Sequence, residues 1–281
     1  MITKFRLLKV GHCLHPGCLA FKKGSLKNIE FPALVGLLHH STKGWILFDT
    51  GYSPFFFQAT QSFPEKLYRM VTPVVLNNVE TLPCQLCKLG IQEDDISTII
   101  ISHFHADHIA GLRHFSKAKF FCSEIEFRSM MTLNNRFLKL RHAFLPQLLP
   151  PDFIKRMVFV ESSPSIDIEN NFHPLGKGYD LFGDQSAIAI FLPGHTHGQI
   201  GLIFRDLASG RHIFFVADAC WHTDMLDTLQ TSFFSSLIFD NHKAYHRTLD
   251  KLRIFASRNP DCIIIPSHCQ KTWERYKYDC K

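Results

Sequence analysis

The sequence predicts an α/β fold in which two sheets are flanked by helices. Three observations support this. The chain opens with strand-sized apolar runs that fit an antiparallel hairpin, helical and strand patterns alternate after it, and the second half repeats that alternation. No Gly/Ser-rich linker or low-complexity segment divides the 281 residues, so one domain is expected over residues 1–281. With 46% apolar and 20% charged residues, the chain can bury a sizeable core.

The first half begins with the predicted hairpin. Strands are expected at Leu34–Leu38 and Trp45–Phe48, with Gly44 in the turn between them. A helical pattern then covers Val79–Leu89, and a strand is expected at Ile96–Ile101. The sheet that starts as a hairpin therefore continues through helix-to-strand connections.

The second half starts with a long helical pattern. Apolar positions recur at helical spacing over Ser123–Leu149, until Pro150 and Pro151 end the pattern, so one or two amphipathic helices are expected. The remaining predicted elements are strands at Met157–Val160, Ala187–Leu192, Leu202–Phe204 and His212–Val216, a helix at Asn241–Ala256 and a strand at Cys262–Ile265.

Composition and charge argue against several classes of protein. Lys and Arg number 31 against 25 Asp and Glu, a net charge of +6, and no block of five or six like charges occurs, so a nucleic-acid partner is not expected. No stretch approaches the roughly 18 consecutive apolar residues of a membrane span, and no membrane partner is expected. Because Lys4, Arg6 and Lys9 interrupt the first apolar residues, these residues do not form the apolar stretch of a secretory signal, and a cytoplasmic protein is expected unless a leader was removed.

The nine cysteines are scattered rather than arranged as a disulfide framework, which favours reduced thiols. Cys84 and Cys87 have the spacing of half a zinc knuckle or of a redox pair. No second pair exists, however, and Leu82, Leu86 and Leu89 fit the buried face of a short helix. The structural interpretation of this segment is preferred.

The strongest chemical signal is the run Ser102–His108, which directly follows a predicted strand. Alternate side chains of an extended segment point the same way, so His103 and His105 can face one metal ion. The turn that follows would aim Asp107 and His108 at a second position nearby. Imidazole and carboxylate ligands without a thiolate suit zinc best, followed by iron, manganese or cobalt.

Further ligands are expected at His195, Asp218 and His268, because each follows a predicted strand. Loops at strand ends can hold side chains in a convergent arrangement on a rigid sheet. The expectation is two divalent ions per chain, with the Asp218 carboxylate able to bridge them. One ion would take His103, His105 and His195, and the other would take Asp107, His108 and His268.

Five short motifs occur in an order that resembles the metallo-β-lactamase superfamily. They are Leu47–Gly51, His103–His108, Pro193–Thr196, Ala217–Ala219 and Pro266–His268. The resemblance covers most of the chain and implies an αββα sandwich of two mixed sheets with a metal site at their edge. It also implies that Asp49 orients the metal-ligating side chains, as carboxylates do for ligating histidines.

Within that superfamily the chain looks most like the quorum-quenching N-acyl-homoserine lactonases. Those enzymes commonly carry a tyrosine three residues after the bridging aspartate, where this chain has Trp221. Trp221 and the following His222 are candidates for the role of that tyrosine, and a packing role for Trp221 is equally open. Phe144 is a candidate for the wall of an apolar acyl pocket, although packing is the more frequent role of such residues.

The expected function is hydrolysis of a small molecule. Hydroxide generated at two zinc ions would attack an ester, thioester or lactone carbonyl, and Asp107 or a metal-bound water would pass a proton to the leaving group. The resemblance makes a lactone such as an N-acyl-homoserine lactone the first choice. A glyoxalase-II-like thioesterase is the alternative, followed by a phosphodiesterase or ribonuclease. A homodimer formed through the helical stretch is left open.

Overall fold

The computed structural model describes residues 1–22, 24–228, 231–232 and 238–277, and its strands form two mixed sheets. The first sheet has the order β4-β1-β2-β3-β5-β6-β7. Its β1, β2, β3 and β4 pair antiparallel, whereas β3, β5, β6 and β7 pair in parallel. Its strands are β1 (Ile2–Pro16), β2 (Asn28–His40), β3 (Gly44–Phe48), β4 (Val74–Val75), β5 (Ile96–Ile100), β6 (Lys119–Cys122) and β7 (Met157–Phe159).

The second sheet has the order β13-β12-β11-β10-β9-β8. All its pairs are antiparallel except β12 with β13. Its strands are β8 (Ser165–Asp167), β9 (Lys177–Asp180), β10 (Ile188–Phe191), β11 (Ile200–Arg205), β12 (His212–Ala217) and β13 (Ile263–Pro266).

Helices connect and cover the strands. In the first half these are α1 (Gly17–Ala20), α2 (Pro54–Ala59), α3 (Lys66–Val71), α4 (Leu82–Lys88), α5 (Ala106–Ile109), α6 (Glu124–Thr132) and α7 (Arg136–Arg141). In the second half they are α8 (Phe153–Arg156), α9 (Glu169–Phe172), α10 (Asp224–Thr228), α11 (His242–Arg258) and α12 (Gln270–Tyr276). None of the described helices combines the length and apolar composition needed to traverse a bilayer.

The two sheets pack face to face. Phe48 of β3 stacks on Phe215 of β12 with ring centroids 4.9 Å apart. Gly36 of β2 makes room for that ring, because a Cβ there would lie 2.5 Å from a Phe215 carbon. The outer faces pack on helices, for example Phe214 on Phe255 of α11 at 5.3 Å. Each sheet therefore buries apolar side chains on both faces, which gives the expected αββα sandwich.

The predicted elements are present, with shifted ends. The helical pattern over Val79–Leu89 is divided into a short 3-10 helix, Asn78–Glu80, and the α-helix α4, because Thr81 between them is extended and Pro83 occupies the first turn of α4. The pattern over Ser123–Leu149 is two helices, and the second begins where the Asn135 side chain accepts a hydrogen bond from the Leu138 N–H. The first strand of the fold, β1, was not predicted.

The cysteine pair lies on α4, where Leu82 and Leu86 are buried as expected. Cys84 is half-buried and Cys87 exposed, and both are free thiols. Neither belongs to a group of side chains, among the described residues, that could hold a metal ion.

Candidate metal centre

The candidate ligands follow the ends of strands, as the sequence predicts. His103, His105, Asp107 and His108 lie in and after the loop that follows β5, and α5 begins within this run. His195 follows β10, Asp218 follows β12 and His268 follows β13. Since β5 belongs to one sheet and the other three strands to the second, the side chains meet at one edge of the sandwich.

The ligand atoms form two groups. His103, His105, His195 and Asp218 offer atoms that all lie within 4.8 Å of one another, and so do Asp107, His108 and His268. This is the division predicted for two ions, with Asp218 placed in the first group. Within the first group, His195 Nε2 is 3.1 Å from His105 Nδ1 and 3.2 Å from Asp218 Oδ2.

Asp218 also reaches the second group. Its Oδ2 lies 3.2 Å from His268 Nε2, and its Oδ1 lies 3.5 Å from His108 Nε2. Asp107 Oδ2 is 3.4 Å from His268 Nε2. One buried carboxylate thus contacts histidines of both groups, which is the position that a bridging ligand requires.

Hydrogen bonds to the distal ring nitrogens orient two of the histidines. His108 Nδ1 lies 2.7 Å from Asp49 Oδ2, and His268 Nδ1 lies 2.8 Å from the carbonyl oxygen of Pro32. Each acceptor favours a proton on Nδ1 and leaves Nε2 with a lone pair for a metal ion. Asp49 also accepts from the N–H and hydroxyl of Ser102, both at 2.8 Å, so it has the orienting position that the resemblance implies.

The pKa values of the histidines shift in opposite directions in the two groups. Burial, together with neighbouring imidazoles, lowers the pKa values of His103, His105 and His195, which keeps these rings neutral. Against the effect of burial, the carboxylates around His108 raise its pKa to about 10. Against burial too, the nearby histidines hold the pKa of Asp218 well below its usual range.

The chemistry of the donor set fits divalent ions. His103 Nε2, His108 Nε2 and Asp218 Oδ1 are buried without a hydrogen-bond partner in the described chain. Unpaired buried polar atoms cost free energy, and a group of them around a common centre is a site that a metal ion would complete. Neutral imidazoles and carboxylates are the ligands that zinc uses in catalytic sites.

The loop of His195 depends on a close contact with α11. Gly194 has φ +134°, and a Cβ there would lie 2.2 Å from the Tyr245 backbone, so this position requires glycine. The backbone N–H of Asp240 donates to the His195 carbonyl at 3.1 Å, and that of Asn241 donates to the Gly194 carbonyl at 3.1 Å. The start of α11 therefore fixes the turn that carries His195.

The ligands open into a mainly apolar cavity of about 480 Å³. His105, Asp107, His195, Asp218 and His268 form its polar floor. Apolar walls come from Leu19, Phe31, Leu67 and Tyr68, for which the sequence predicted no role, and from Leu140 of the predicted helical stretch. They lie far apart in the sequence and share no local pattern, so only the fold identifies them.

The three candidates for substrate contact have different surroundings. Trp221 lines the cavity, and its indole N–H donates to Asp218 Oδ2 at 3.2 Å. His222 lies outside the lining residues, and a hydrogen bond with Cys269 raises its pKa. Phe144 is fully buried in the core, with its ring centroid 6.1 Å from that of Phe104, and does not line the cavity.

Comparison with known proteins gives a match to one family over most of the chain. The model of the metallo-beta-lactamase superfamily matches residues 29–253. The N-acyl homoserine lactonase AiiB of Agrobacterium fabrum is 25% identical over 197 residues, which are 70% of this chain and 66% of that protein. The matched part thus spans just under two thirds of this relative's length.

Solved structures show the same fold over almost the whole chain. An N-acyl homoserine lactone hydrolase with the product N-hexanoyl-L-homoserine at its catalytic metal centre matches with a TM-score of 0.75 and 16% identity. That match covers 98% of this chain and 96% of the other. The dizinc quorum-quenching lactonase AidC matches with a TM-score of 0.61 and 18% identity, covering 96% of this chain and 89% of the other.

Proposed function

Because the chain belongs to the metallo-beta-lactamase superfamily, we propose that it is a metal-dependent hydrolase that opens lactones carrying an apolar acyl chain. N-acyl-homoserine lactones are the first substrates to consider. The observation that carries the proposal is the cluster of seven candidate ligand side chains, five of which form the floor of a mainly apolar cavity. The names of AiiB and of the structural neighbours point to the same substrate class.

The ligand side chains would hold two divalent ions, for which zinc is the first choice. His103, His105 and His195 would serve one ion, Asp107, His108 and His268 the other, and Asp218 both. When bound, the ions supply Lewis acidity and a water molecule activated near neutral pH. The protein's part is to hold the imidazoles and carboxylates in a buried arrangement before the substrate arrives.

Asp107 would be the group that moves a proton. Its side chain is 12% exposed, lines the cavity, and lies beside His268. In lactone hydrolysis the oxygen of water forms a bond to the carbonyl carbon, the ring C–O bond breaks, and the leaving alkoxide needs a proton. A carboxylate on the cavity floor can accept a proton from the attacking water and deliver it to the alkoxide oxygen, which yields the hydroxy acid.

The apolar cavity walls support the proposed preference of the enzyme for substrates with an apolar acyl chain. Apolar side chains bind such a chain by removing it from water, at roughly 25 cal/mol per Å². They also exclude water from the charged floor and so strengthen the electrostatic interactions there. Trp221 belongs to this wall. Its indole N–H, the only hydrogen-bond donor of the side chain, donates to Asp218, so Trp221 would act by positioning that carboxylate.

The test is a substrate screen with zinc-loaded protein. Short- and long-chain N-acyl-homoserine lactones are compared with S-lactoylglutathione and a bis-aryl phosphodiester. We expect lactone hydrolysis that improves with acyl length and is lost on chelation. Hydrolysis of the thioester alone or of the phosphodiester alone would replace the proposal with that reaction class, and activity that survives complete metal removal would contradict it.

A further inference from the structure

The positive charge of this protein is concentrated in three short segments. Residues 17–27, 62–72 and 133–145 together contain eight Lys and Arg and a single Asp or Glu, a net charge of +7. The whole chain carries +6, so all its other residues together carry a net charge of −1. We call these three segments the rim.

The rim cations are largely unpaired. The one rim carboxylate, Glu65, binds Arg136. Within the described part of the chain, none of the other rim cations forms an ion pair with a carboxylate. They are Lys22, Lys27, Lys66, Arg69, Lys139 and Arg141. Their charge is therefore available to an external partner.

The rim also exposes large apolar side chains. Six of the fourteen exposed large hydrophobic residues of the described chain lie in these three segments. Phe63, Met70, Val71 and Phe137 are 64%, 67%, 72% and 57% exposed. The rings of Phe63 and Phe137 contact each other with centroids 5.8 Å apart, so the second and third segments share one surface.

All three segments meet at the opening of the cavity. Leu19 and Ala20 of the first, Leu67 and Val71 of the second and Leu140 of the third line it. Val71 is both a lining residue and among the most exposed apolar residues, which marks where the cavity opens to solvent. The cationic, apolar rim thus surrounds the entrance to the metal centre.

We propose that the rim binds the surface of an anionic lipid membrane, with the cavity entrance facing the bilayer. Lysines and arginines interact with anionic head groups while exposed Phe, Met, Val and Leu enter the boundary between head groups and acyl chains. Binding of this kind brings the cavity to the phase in which molecules with long apolar chains accumulate. The proposal concerns the rim alone and does not depend on which bond the enzyme cleaves.

Charge and side-chain chemistry favour a lipid surface over two other partners. A symmetric dimer through this face would set two +7 surfaces against each other, which like-charge repulsion opposes. Nucleic-acid sites pair cations with polar or aromatic side chains that read or stack on bases. Of the six exposed large apolar side chains of the rim, only Phe63 and Phe137 are aromatic, and their rings contact each other. The other four, which include Met70 and Val71, are aliphatic and offer neither kind of contact.

The experiment is vesicle sedimentation with the full chain. Phosphatidylcholine vesicles are compared with vesicles that also contain phosphatidylserine, at low and high salt. We expect binding only to the anionic vesicles and a loss of binding as salt rises, because salt screens exposed charges. Protein that stays in the supernatant with anionic vesicles at low salt would overturn the proposal.

A matched pair of double variants tests the surface itself. Lys66→Gln with Met70→Ser changes the rim, and Lys251→Gln with Ile154→Ser changes a similarly exposed cation and an apolar residue outside it. We expect the rim variant to bind anionic vesicles at least about tenfold more weakly, since one lost cation alone accounts for about fivefold. The control variant should bind like the unchanged protein, and both should keep its circular dichroism spectrum.

Three results would contradict the assignment. Equal vesicle binding by the rim and control variants would place the lipid contact elsewhere. Nucleic-acid binding without vesicle binding would make the rim a nucleic-acid site. A dimer that the rim variant dissociates, seen by light scattering without vesicle binding, would make it a contact between two copies. Hydrolysis is not measured in any of these assays, so failure of the proposed lactone chemistry would be recognised separately.

Discussion

Asp218 is the residue whose contacts reach both groups of candidate ligands. We expect Asp218→Asn to keep the fold but to lose at least one of two bound metal ions. The amide replaces an anionic oxygen with a nitrogen donor that cannot face a cation. The hydrolysis rate should fall by several powers of ten, each worth about 1.4 kcal/mol of barrier.

Metal content by elemental analysis and initial rates on the same preparations check this prediction. Asp227→Asn is the control, because Asp227 is an exposed carboxylate outside both ligand groups. If the Asp218 variant held two ions tightly and hydrolysed substrate at a near-normal rate, Asp218 would not be a bridging ligand.

Asp49 contacts two residues of the candidate metal centre, His108 and the neighbouring Ser102. Its carboxylate accepts hydrogen bonds from His108 Nδ1 and from the backbone and hydroxyl of Ser102. Asp49→Asn leaves one acceptor oxygen for three donors, so His108 loses its fixed orientation. We expect metal affinity to fall about 10–100-fold, as for other carboxylates that orient ligating histidines.

A competition titration with a chromophoric chelator measures that affinity. The backbone at Asp49 has φ +62°, a conformation that asparagine also adopts, so the variant should fold normally. Asp184→Asn is a matched control, because Asp184 also accepts from a buried histidine, His40. Unchanged affinity in the Asp49 variant would show that Ser102 and the packing around His108 suffice.

At the scale of elements, α6 is tied to the loop that follows His195 by a buried carboxylate. Glu126 is 1% exposed, and its Oε2 accepts from the Gly198 N–H at 2.8 Å. Burial raises its pKa to about 7, against the effect of that hydrogen bond. The unfolded chain therefore loses this proton first as pH rises, and the folded chain holds it longer.

This difference predicts a pH dependence of stability. Between the ordinary carboxyl pKa of 4.5 and about 7 the folded state binds more protons, so the free energy of unfolding falls as pH rises. The loss is on the order of 3 kcal/mol. Glu126→Gln cannot ionise and keeps an acceptor for Gly198, so it should lack this contribution.

Urea denaturation of both proteins on either side of that pH window gives the difference in unfolding free energy. The control is Glu124→Gln, because Glu124 is a more exposed neighbour on α6 that pairs with Arg128. A Glu126 variant with the same pH dependence as the unchanged protein would mean that this carboxyl ionises freely in the fold.

Helices and strands were predicted best where a regular spacing of apolar residues runs through the whole element. The Leu34–Leu38 strand and the α11 helix show clear periodicity, and both are present. β1 was missed because charged residues and Gly11 interrupt its apolar residues. Gly11 has φ +77° at an irregularity in the pairing with β2, and such a break hides the alternation of a strand.

At the scale of the whole molecule, the sequence predicted which side chains meet at the candidate metal centre and missed the side chains around them. Each candidate ligand lies in a recognisable motif after a strand, so local sequence is enough to propose it. The cavity walls and the rim come from segments separated by tens of residues. A surface assembled from distant segments contains neither a long apolar run nor a block of like charges, so a search for these patterns does not find it. The expectation of no membrane partner therefore rested only on the lack of a membrane-spanning segment in the sequence.

The ligands also join the two halves of the sandwich. Four of them follow β5 of the first sheet, and three follow β10, β12 and β13 of the second. Metal ions held between them would link the sheets, and a ligand that binds only the folded state stabilises it. We therefore expect two ions per chain after zinc loading and a marked loss of thermal stability on chelation.

The size of that loss can be estimated. An ion at a hundred times its dissociation constant contributes about 2.7 kcal/mol, and one kcal/mol corresponds to roughly 2–4 °C in Tm for chains near this size. Chelation should thus lower Tm by roughly 5 °C or more, and added zinc should restore it. Calorimetry with elemental analysis checks both values, and Asp218→Asn should show a smaller shift because it binds fewer ions. If removal of two ions left Tm unchanged, the metal centre would not hold the sheets together, and one ion or fewer after zinc loading would contradict the two-ion site itself.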